Sequence, residues 1–358
     1  MVNLATANCE LSRPAMFVQA MVGHHYRTDD FYEVGREKIR EFATVVRDRH
    51  PAHRTEAGAR ALGFERLLAP LTFASAVGMK AQQRLLEEIA VGFDLSQLVQ
   101  TDQHFRFHQP IVAGDRLGCD VSLDAFEQVR GRNMLQIKNV VCNQRGEAVL
   151  TSTVTLFVGD GETGRDAAEM ARGILAHDMS DVVPERGAAD RPAEQTRTPR
   201  LSGFGSATPR PRQQLHSRPI AEVAAGDELP GATVVLRRGD LVSYAGATGD
   251  GNPIHWNAEF AQMVGLETVV AHGMLTMGII AGYLTNWLGD PTAVDEFSVR
   301  FARPVYVDLR EGATLELSGA VQTLDRSAGT ATIAVNARCG GRRIFGPKTS
   351  AAVRLTCN

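Results

Sequence analysis

Two stretches of the chain repeat one pattern of apolar and polar positions. Each opens with a segment whose apolar residues fall at helical spacing, over 34–49 in the first and 238–246 in the second. A polar turn follows, and then a longer apolar segment, 71–90 and 273–288, that predicts a central helix. Strand-like runs complete each stretch: 100–107, 116–128, 133–143 and 148–158 in the first, 294–300, 314–324, 330–338 and 343–355 in the second. Glycine-bearing turns such as Arg145-Gly146 and Gly340-Gly341 separate them. One long helix followed by a run of antiparallel strands predicts an α+β class in which a sheet wraps a helix.

The repetition extends to individual residues. Asp48-Arg49-His50-Pro51-Ala52-His53 aligns with Asp250-Gly251-Asn252-Pro253-Ile254-His255 at an offset of 202, and Ala69 with Ala271 at the same offset. Further on, Phe107-His108-Gln109-Pro110-Ile111 aligns with Phe301-Ala302-Arg303-Pro304-Val305 at an offset of 194. An offset that holds locally and then drifts by a loop's length is the mark of duplicated or fused domains. Between the two blocks, from about 160 to 212, Pro, Gly, Ala, Arg and Thr dominate and Phe204 is the lone aromatic residue. Such a segment cannot bury enough apolar surface to offset its ordering entropy, so it is expected to be a linker, with one short helix at 167–175. The predicted division is 20–159, a linker at 160–213, and 214–358.

Composition narrows the function classes. The 358 residues include 38 basic and 41 acidic side chains, a net charge of -3 that argues against nucleic acid or a membrane surface as partner. The five cysteines are odd in number, widely spaced and without a Cys-x-x-Cys pair, which points to a reducing cytoplasm and to neither a disulfide framework nor a metal site. The N-terminal segment lacks the sustained apolar run of a signal peptide, and no apolar run is long enough to span a bilayer.

The chemistry concentrates in the second block. Asn252 before Pro253 is a helix cap followed by a first-turn proline, which sets Asp250 just before the turn and His255 just inside it. Their side chains can then face one cleft, and histidine takes or gives a proton near neutral pH. In Ala271-His272-Gly273-Met274, Gly273 stands where the long apolar helix would begin, and a helix N-terminus presents N–H groups to a developing oxyanion. An acid, a base and such an N-terminus are what adding or removing water beside a thioester carbonyl requires. Asp-Gly-Asn-Pro alone is a common turn and cap, and His272 can equally be a buttress of the loop. It is the combination that points to catalysis.

The combination resembles the MaoC-like hydratase/dehydratase family of hot-dog folds. From about 22 to 158 the chain resembles the A-type subunit of mycobacterial (3R)-hydroxyacyl-ACP dehydratases. Val22-Gly23-His24-His25-Tyr26, Tyr32 to Ala43, Ala69-Pro70-Leu71-Thr72-Phe73 and Pro110 to Asp115 carry that likeness. From about 226 onward it resembles the B-type subunit, through Tyr244-Ala245-Gly246-Ala247-Thr248-Gly249-Asp250 and Ala271 to Gly278. The resemblance implies a natural A–B fusion with a double hot-dog fold, the halves pairing within one chain as a pseudo-dimer. It implies Asp250 and His255 as the catalytic pair, Gly273 N–H on the thioester carbonyl, and Asn252 and His272 in support. The implied substrates are 3-hydroxyacyl or 2-enoyl thioesters carried on acyl carrier protein or coenzyme A, with no metal and no other cofactor.

In the A-type half, Pro70-Leu71 replaces His272-Gly273 and His50 replaces Asn252, so that half is expected to hold a degenerate site that helps build the acyl-chain channel. Asp48 and His53 remain in register as a possible second site. Leu71, Phe73, Val77, Met79 and Leu85 are candidates to line the channel, with ordinary core packing as the alternative for each. Arg300, Arg303 and Lys80 are candidates to grip a phosphopantetheine phosphate or an acidic carrier. Two other functions fit the same fold, a non-catalytic acyl-thioester binding module and a thioesterase.

Overall fold

A single antiparallel sheet runs through both halves of the protein in the computed structural model, which describes residues 13–28, 30–90, 99–129, 132–158 and 215–357. The expected linker and its short helix lie outside these residues. The first half comprises α1 (Arg13–Ala20), β1 (His25–Arg27), β2 (Tyr32–Glu33), α2 (Arg36–Val45), α3 (Glu56–Arg60), α4 (Ser75–Ala90), β3 (Val99–Phe107), β4 (Arg116–Val129), β5 (Arg132–Cys142) and β6 (Ala148–Val158). The second comprises β7 (Glu228–Leu236), α5 (Arg238–Thr248), α6 (Ala258–Met263), α7 (Gly273–Leu288), β8 (Val294–Arg300), β9 (Ala313–Asp325), β10 (Thr330–Cys339), β11 (Arg342–Arg343) and β12 (Ser350–Arg354).

The strand order is β1-β4-β5-β6-β3-β8-β12-β10-β9-β7, which reads the same from either end once the halves are matched. This is the double hot-dog arrangement, with α4 and α7 as the wrapped helices. The strands alternate buried and partly buried positions, as in Leu150 to Val158 and Ala331 to Ala337, so each half of the sheet turns one face to its helix. Helix α7 is apolar nearly all round and is buried from Met274 to Ala281 without a break. Such a helix is stable only when enclosed.

The halves meet at β3 and β8, which pair antiparallel from Asp102↔Arg300 to Arg106↔Glu296. At the centre His104 faces Ser298, the same position of the repeat, and its Nδ1 lies 2.7 Å from the Ser298 hydroxyl. A second such self-pairing joins Phe42 and Tyr244, offset by 202, whose ring centroids are 6.3 Å apart. The pseudo-twofold axis therefore passes through both contacts.

The second seam is a close approach of α7 to the first half. A Cβ on Gly278 would stand 2.6 Å from Val46 Cγ1 and 3.0 Å from Thr72 Oγ1, and one on Gly282 would stand 3.2 Å from Asp48. Only glycine lets the helix come this near.

Several expectations are revised. Helix α4 begins at Ser75, four residues after Leu71, because 71–74 form turns. Helix α2 stops at Val45, and Arg47 takes a left-handed φ of 57° before Asp48. The run 343–355 is two strands, β11 and β12, joined by a turn. Strands β1, β2 and β7 and helices α1, α3 and α6 were not anticipated. Phe73, Val77 and Leu85 are each at most 2% exposed and belong to the hydrophobic core rather than to a channel wall.

The α7 seam makes a prediction. Gly278→Val places a side chain into Val46, and overpacking of this kind costs about 1–3 kcal/mol. The melting temperature should fall, whereas a thermal melt unchanged from wild type would show that the seam can yield.

Candidate active site

Helix α5 ends at Gly249, whose φ of 83° reverses the chain. The Thr248 hydroxyl donates to the Tyr244 carbonyl (2.7 Å) and accepts from Asp250 N–H (3.2 Å), which carries Asp250 away from the helix. Asp250 Oδ1 accepts from Asn252 N–H (3.3 Å), and Asn252 Oδ1 caps the single turn Pro253–His255 by accepting from Ile254 N–H (3.2 Å). His255 then turns inward, only 8% exposed, with Nδ1 at 2.8 Å from the Val270 carbonyl. A carbonyl only accepts, so Nδ1 carries the proton and Nε2 is left as a lone-pair base.

The segment that carries Val270 also brings in Gly273. It opens α7 after His272, and no side chain caps that end. First-turn N–H groups have no partner within the helix. The Phe301 ring would lie 3.1–3.3 Å from a Cβ at Gly273, so a side chain here would press on that ring.

His272 lies between the two segments. Its ring stacks on that of His255 (centroids 3.7 Å, planes 25° apart) and leans on Tyr244 at 4.8 Å. It is 1% exposed, with Nδ1 unpartnered and Nε2 at 3.4 Å from the Asp250 carbonyl oxygen. Burial, and next the neighbouring His255, push its pKa down to about 2, so it is neutral. Burial also lowers His255, against the opposing pull of Asp250 and the Val270 carbonyl.

Asp250, His255 and His272 bring one ligand atom each within 4.8 Å of one another. That spacing alone would suit a cation, but two imidazoles stacked face to face hold their lone pairs in near-parallel planes. Those lone pairs do not converge on one tetrahedral ion.

The first half repeats this turn atom for atom and reaches a different end. Asp48 Oδ1 accepts from His50 N–H (3.0 Å), His50 Nδ1 accepts from Ala52 N–H (3.2 Å) in place of the Asn252 cap, and His53 Nδ1 donates to the Leu68 carbonyl (2.8 Å). Here, however, His53 Nε2 has closed onto Asp48 Oδ2 at 3.2 Å, too obliquely for a hydrogen bond. The pair is 0% and 2% exposed. Gly282 of α7 lies against Asp48, and His50 Nε2 bonds the Gly289 carbonyl at the C-terminal end of that helix (3.0 Å). Burial raises the Asp48 carboxyl, but the charge and contact of His53 and the His50 N–H outweigh it and hold it below its usual value. In the second half no ion pair joins Asp250 to His255, and Asp250 is partly exposed.

Other candidates fall apart from this centre. Arg300 and Arg303 are exposed, and Arg300 lies 3.9 Å from Asp102. The Lys80 side chain lies outside the described residues. Two residues without an assigned role belong to the site. Tyr244 is fully buried beside His272 with its hydroxyl unpartnered, and Gln100 of β3 reaches Met274 Sδ at 3.7 Å, bringing the first half to the head of α7. For Tyr244 the signal was its place six residues ahead of Asp250, in the same helix-to-turn segment. For Gln100 there was none, since the contact crosses between halves.

Comparison with known proteins identifies the family. Residues 20–152 match the model of a FAS1-like dehydratase domain region, and 210–338 match that of a MaoC-like domain. A solved MaoC-like dehydratase is 37% identical over 95% of this chain and 100% of its own, with a TM-score of 0.82. The chain belongs to the MaoC-like dehydratase family. A UPF0336 protein of Mycobacterium tuberculosis is 42% identical over 151 residues, 42% of this chain and 96% of the relative. A double-hotdog protein of the same organism shares the fold at 12% identity and a TM-score of 0.60, over 93% of this chain and 96% of its own. No helix among the described residues is long and apolar enough to cross a membrane.

The closed pair predicts a stability effect. His53→Ala leaves the Asp48 carboxylate buried and unpaired, a change that typically costs about 3–5 kcal/mol. Chemical denaturation should show that loss, and equal stability would mean that Asp48 is neutral in the folded protein.

Proposed function

We propose that this protein interconverts (3R)-hydroxyacyl thioesters and trans-2-enoyl thioesters, with the acyl group carried on acyl carrier protein or coenzyme A. The reaction serves fatty-acid or polyketide chain elongation in the cytoplasm. The observation that carries the reading is the separated pair Asp250 and His255 beside the uncapped head of α7, with His255 Nε2 free and Asp250 partly exposed.

In dehydration the thioester carbonyl oxygen accepts from Gly273 N–H, and His255 Nε2 takes the proton from Cα. Asp250 holds the 3-hydroxyl and orients its departure. The proton taken from Cα leaves on that hydroxyl oxygen as water, so the pair returns to its starting state. Hydration runs the same steps backward. General acid–base work of this kind contributes about 10²–10⁴-fold, and one oxyanion donor about 2.7–4 kcal/mol of barrier. His272, held neutral, stacks on His255 and adds no charge to oppose proton uptake. Tyr244 supports His272 from below.

The thioesterase and binding-module readings give different products. Hydration by the purified chain should consume enoyl absorbance without releasing free thiol. His255→Ala should lower the rate about 10²–10⁴-fold, and Asp250→Asn comparably. Thiol release would make the protein a hydrolase, and no turnover on either carrier would leave a binding module. His53→Ala, assayed as folded protein, should retain activity.

The histidine's environment fixes the pH dependence. A base whose pKa is lowered stays unprotonated to more acidic pH than a free imidazole does. The acid limb of kcat/KM for hydration should therefore fall below pH 6.5. A limb at or above that value would mean that Asp250, rather than burial, dominates His255.

A further inference from the structure

The first half holds a cavity of about 390 Å³, within the size range of small-molecule sites. Its wall includes Leu68 to Leu71, the counterpart of Val270 to Gly273, and Phe107 and Pro110, the counterparts of Phe301 and Pro304. The pseudo-twofold axis thus sets it opposite the Asp250 cleft. None of Asp250, His255, His272 or Gly273 lines it, and the closed pair Asp48 and His53 is walled off from it as well.

The floor is hydrocarbon: Leu68, Leu71, Phe107, Ile111, Val149 and Leu150, with Val294 from the second half. Three guanidinium groups border it, those of Arg66, Arg145 and Arg354. Two are engaged, Arg145 with Glu147 (2.7 Å) and Arg354 with Asp295 (3.0 Å). Arg66 donates Nη1 to the Ala113 carbonyl (3.0 Å) and has no carboxylate partner among the described residues. The bordering carboxylate, Asp115, is committed to Val112 N–H (2.9 Å) and the Gln144 amide (3.3 Å). An apolar floor from both halves with one unpaired guanidinium at its edge suits a ligand with a chain at one end and an oxyanion at the other.

We propose that this cavity is a second, non-catalytic ligand site for an amphipathic anion, its aliphatic chain on the floor and its carboxylate or phosphate on Arg66. The loss of the glycine and histidine at Leu71 and Pro70 removed the means of catalysis from this side and kept the room. The inference stands on the cavity alone and does not depend on the reaction assigned to the other cleft.

The test is calorimetric titration of the full chain carrying Gly273→Val, which crowds the opposite cleft against Phe301, with decanoate, decanoyl-coenzyme A and inorganic phosphate. Binding of decanoate identifies a fatty carboxylate as sufficient, and binding of decanoyl-coenzyme A alone identifies a phosphate-bearing carrier. Inorganic phosphate should not bind measurably, since it lacks the chain. Adding Arg66→Ala should weaken binding about ten-fold or more, as for a lost charge-assisted hydrogen bond. Adding Leu71→Trp should abolish it by filling the floor. Arg66 is exposed, so its replacement leaves the fold intact even if the tryptophan does not. No binding of either chain-bearing ligand, or binding that Arg66→Ala leaves unchanged, overturns the proposal.

Discussion

The closeness of α7 to the turn of the first half governs the rest of the molecule. Gly278 and Gly282 remove two side chains from one face of the helix, and the side chains of Val46 and Thr72 and the Cα and side chain of Asp48 settle into the space. That contact encloses an apolar helix, holds the halves in register beyond the β3–β8 seam, and seals one of two otherwise equivalent acid–base turns. On the other side of the axis Asp250 is partly exposed, and no ion pair joins it to His255.

The two turns show how little local chemistry decides function. Both use an aspartate to accept the N–H two residues on, the side chain of that same residue as a polar cap, and a histidine fixed by a carbonyl 15 residues later. In both, Nδ1 therefore carries a proton. What differs is the distance between acid and base, and whether the pair meets solvent or the packed face of another helix. A carboxylate and an imidazole in contact and buried are a structural ion pair. The same groups held apart at a helix head are the pair on which the proposed reaction rests.

The sequence was most informative where local rules suffice. The α7 boundary at Gly273, the Asn252 cap and the order of helix and strands follow from cap residues and periodicity. The start of α4 was not legible, because Pro70-Leu71 offers no helix signal of the kind that His272-Gly273 does and the chain turns until Ser75. Strand β7 was missed because most of its residues are exposed at the sheet edge and show no alternation. The inward faces of Phe73, Val77 and Leu85 could not be assigned to channel or core, since periodicity gives a face and not what that face meets. The burial of Asp48 depends on Gly282, 234 positions away in the chain, and no reading of the first half alone reports it.

The His104–Ser298 contact carries an evolutionary consequence. In a symmetric homodimer the residue on the twofold axis meets its own copy, so any substitution there arrives twice and an imidazole must face an imidazole. Joining the two halves in one chain lifts that restriction. Each side of the axis can mutate alone, and a complementary pair, ring nitrogen against hydroxyl at 2.7 Å, becomes reachable in single steps. The same freedom lets the two acid–base turns diverge, one closed by packing and the other left partly exposed.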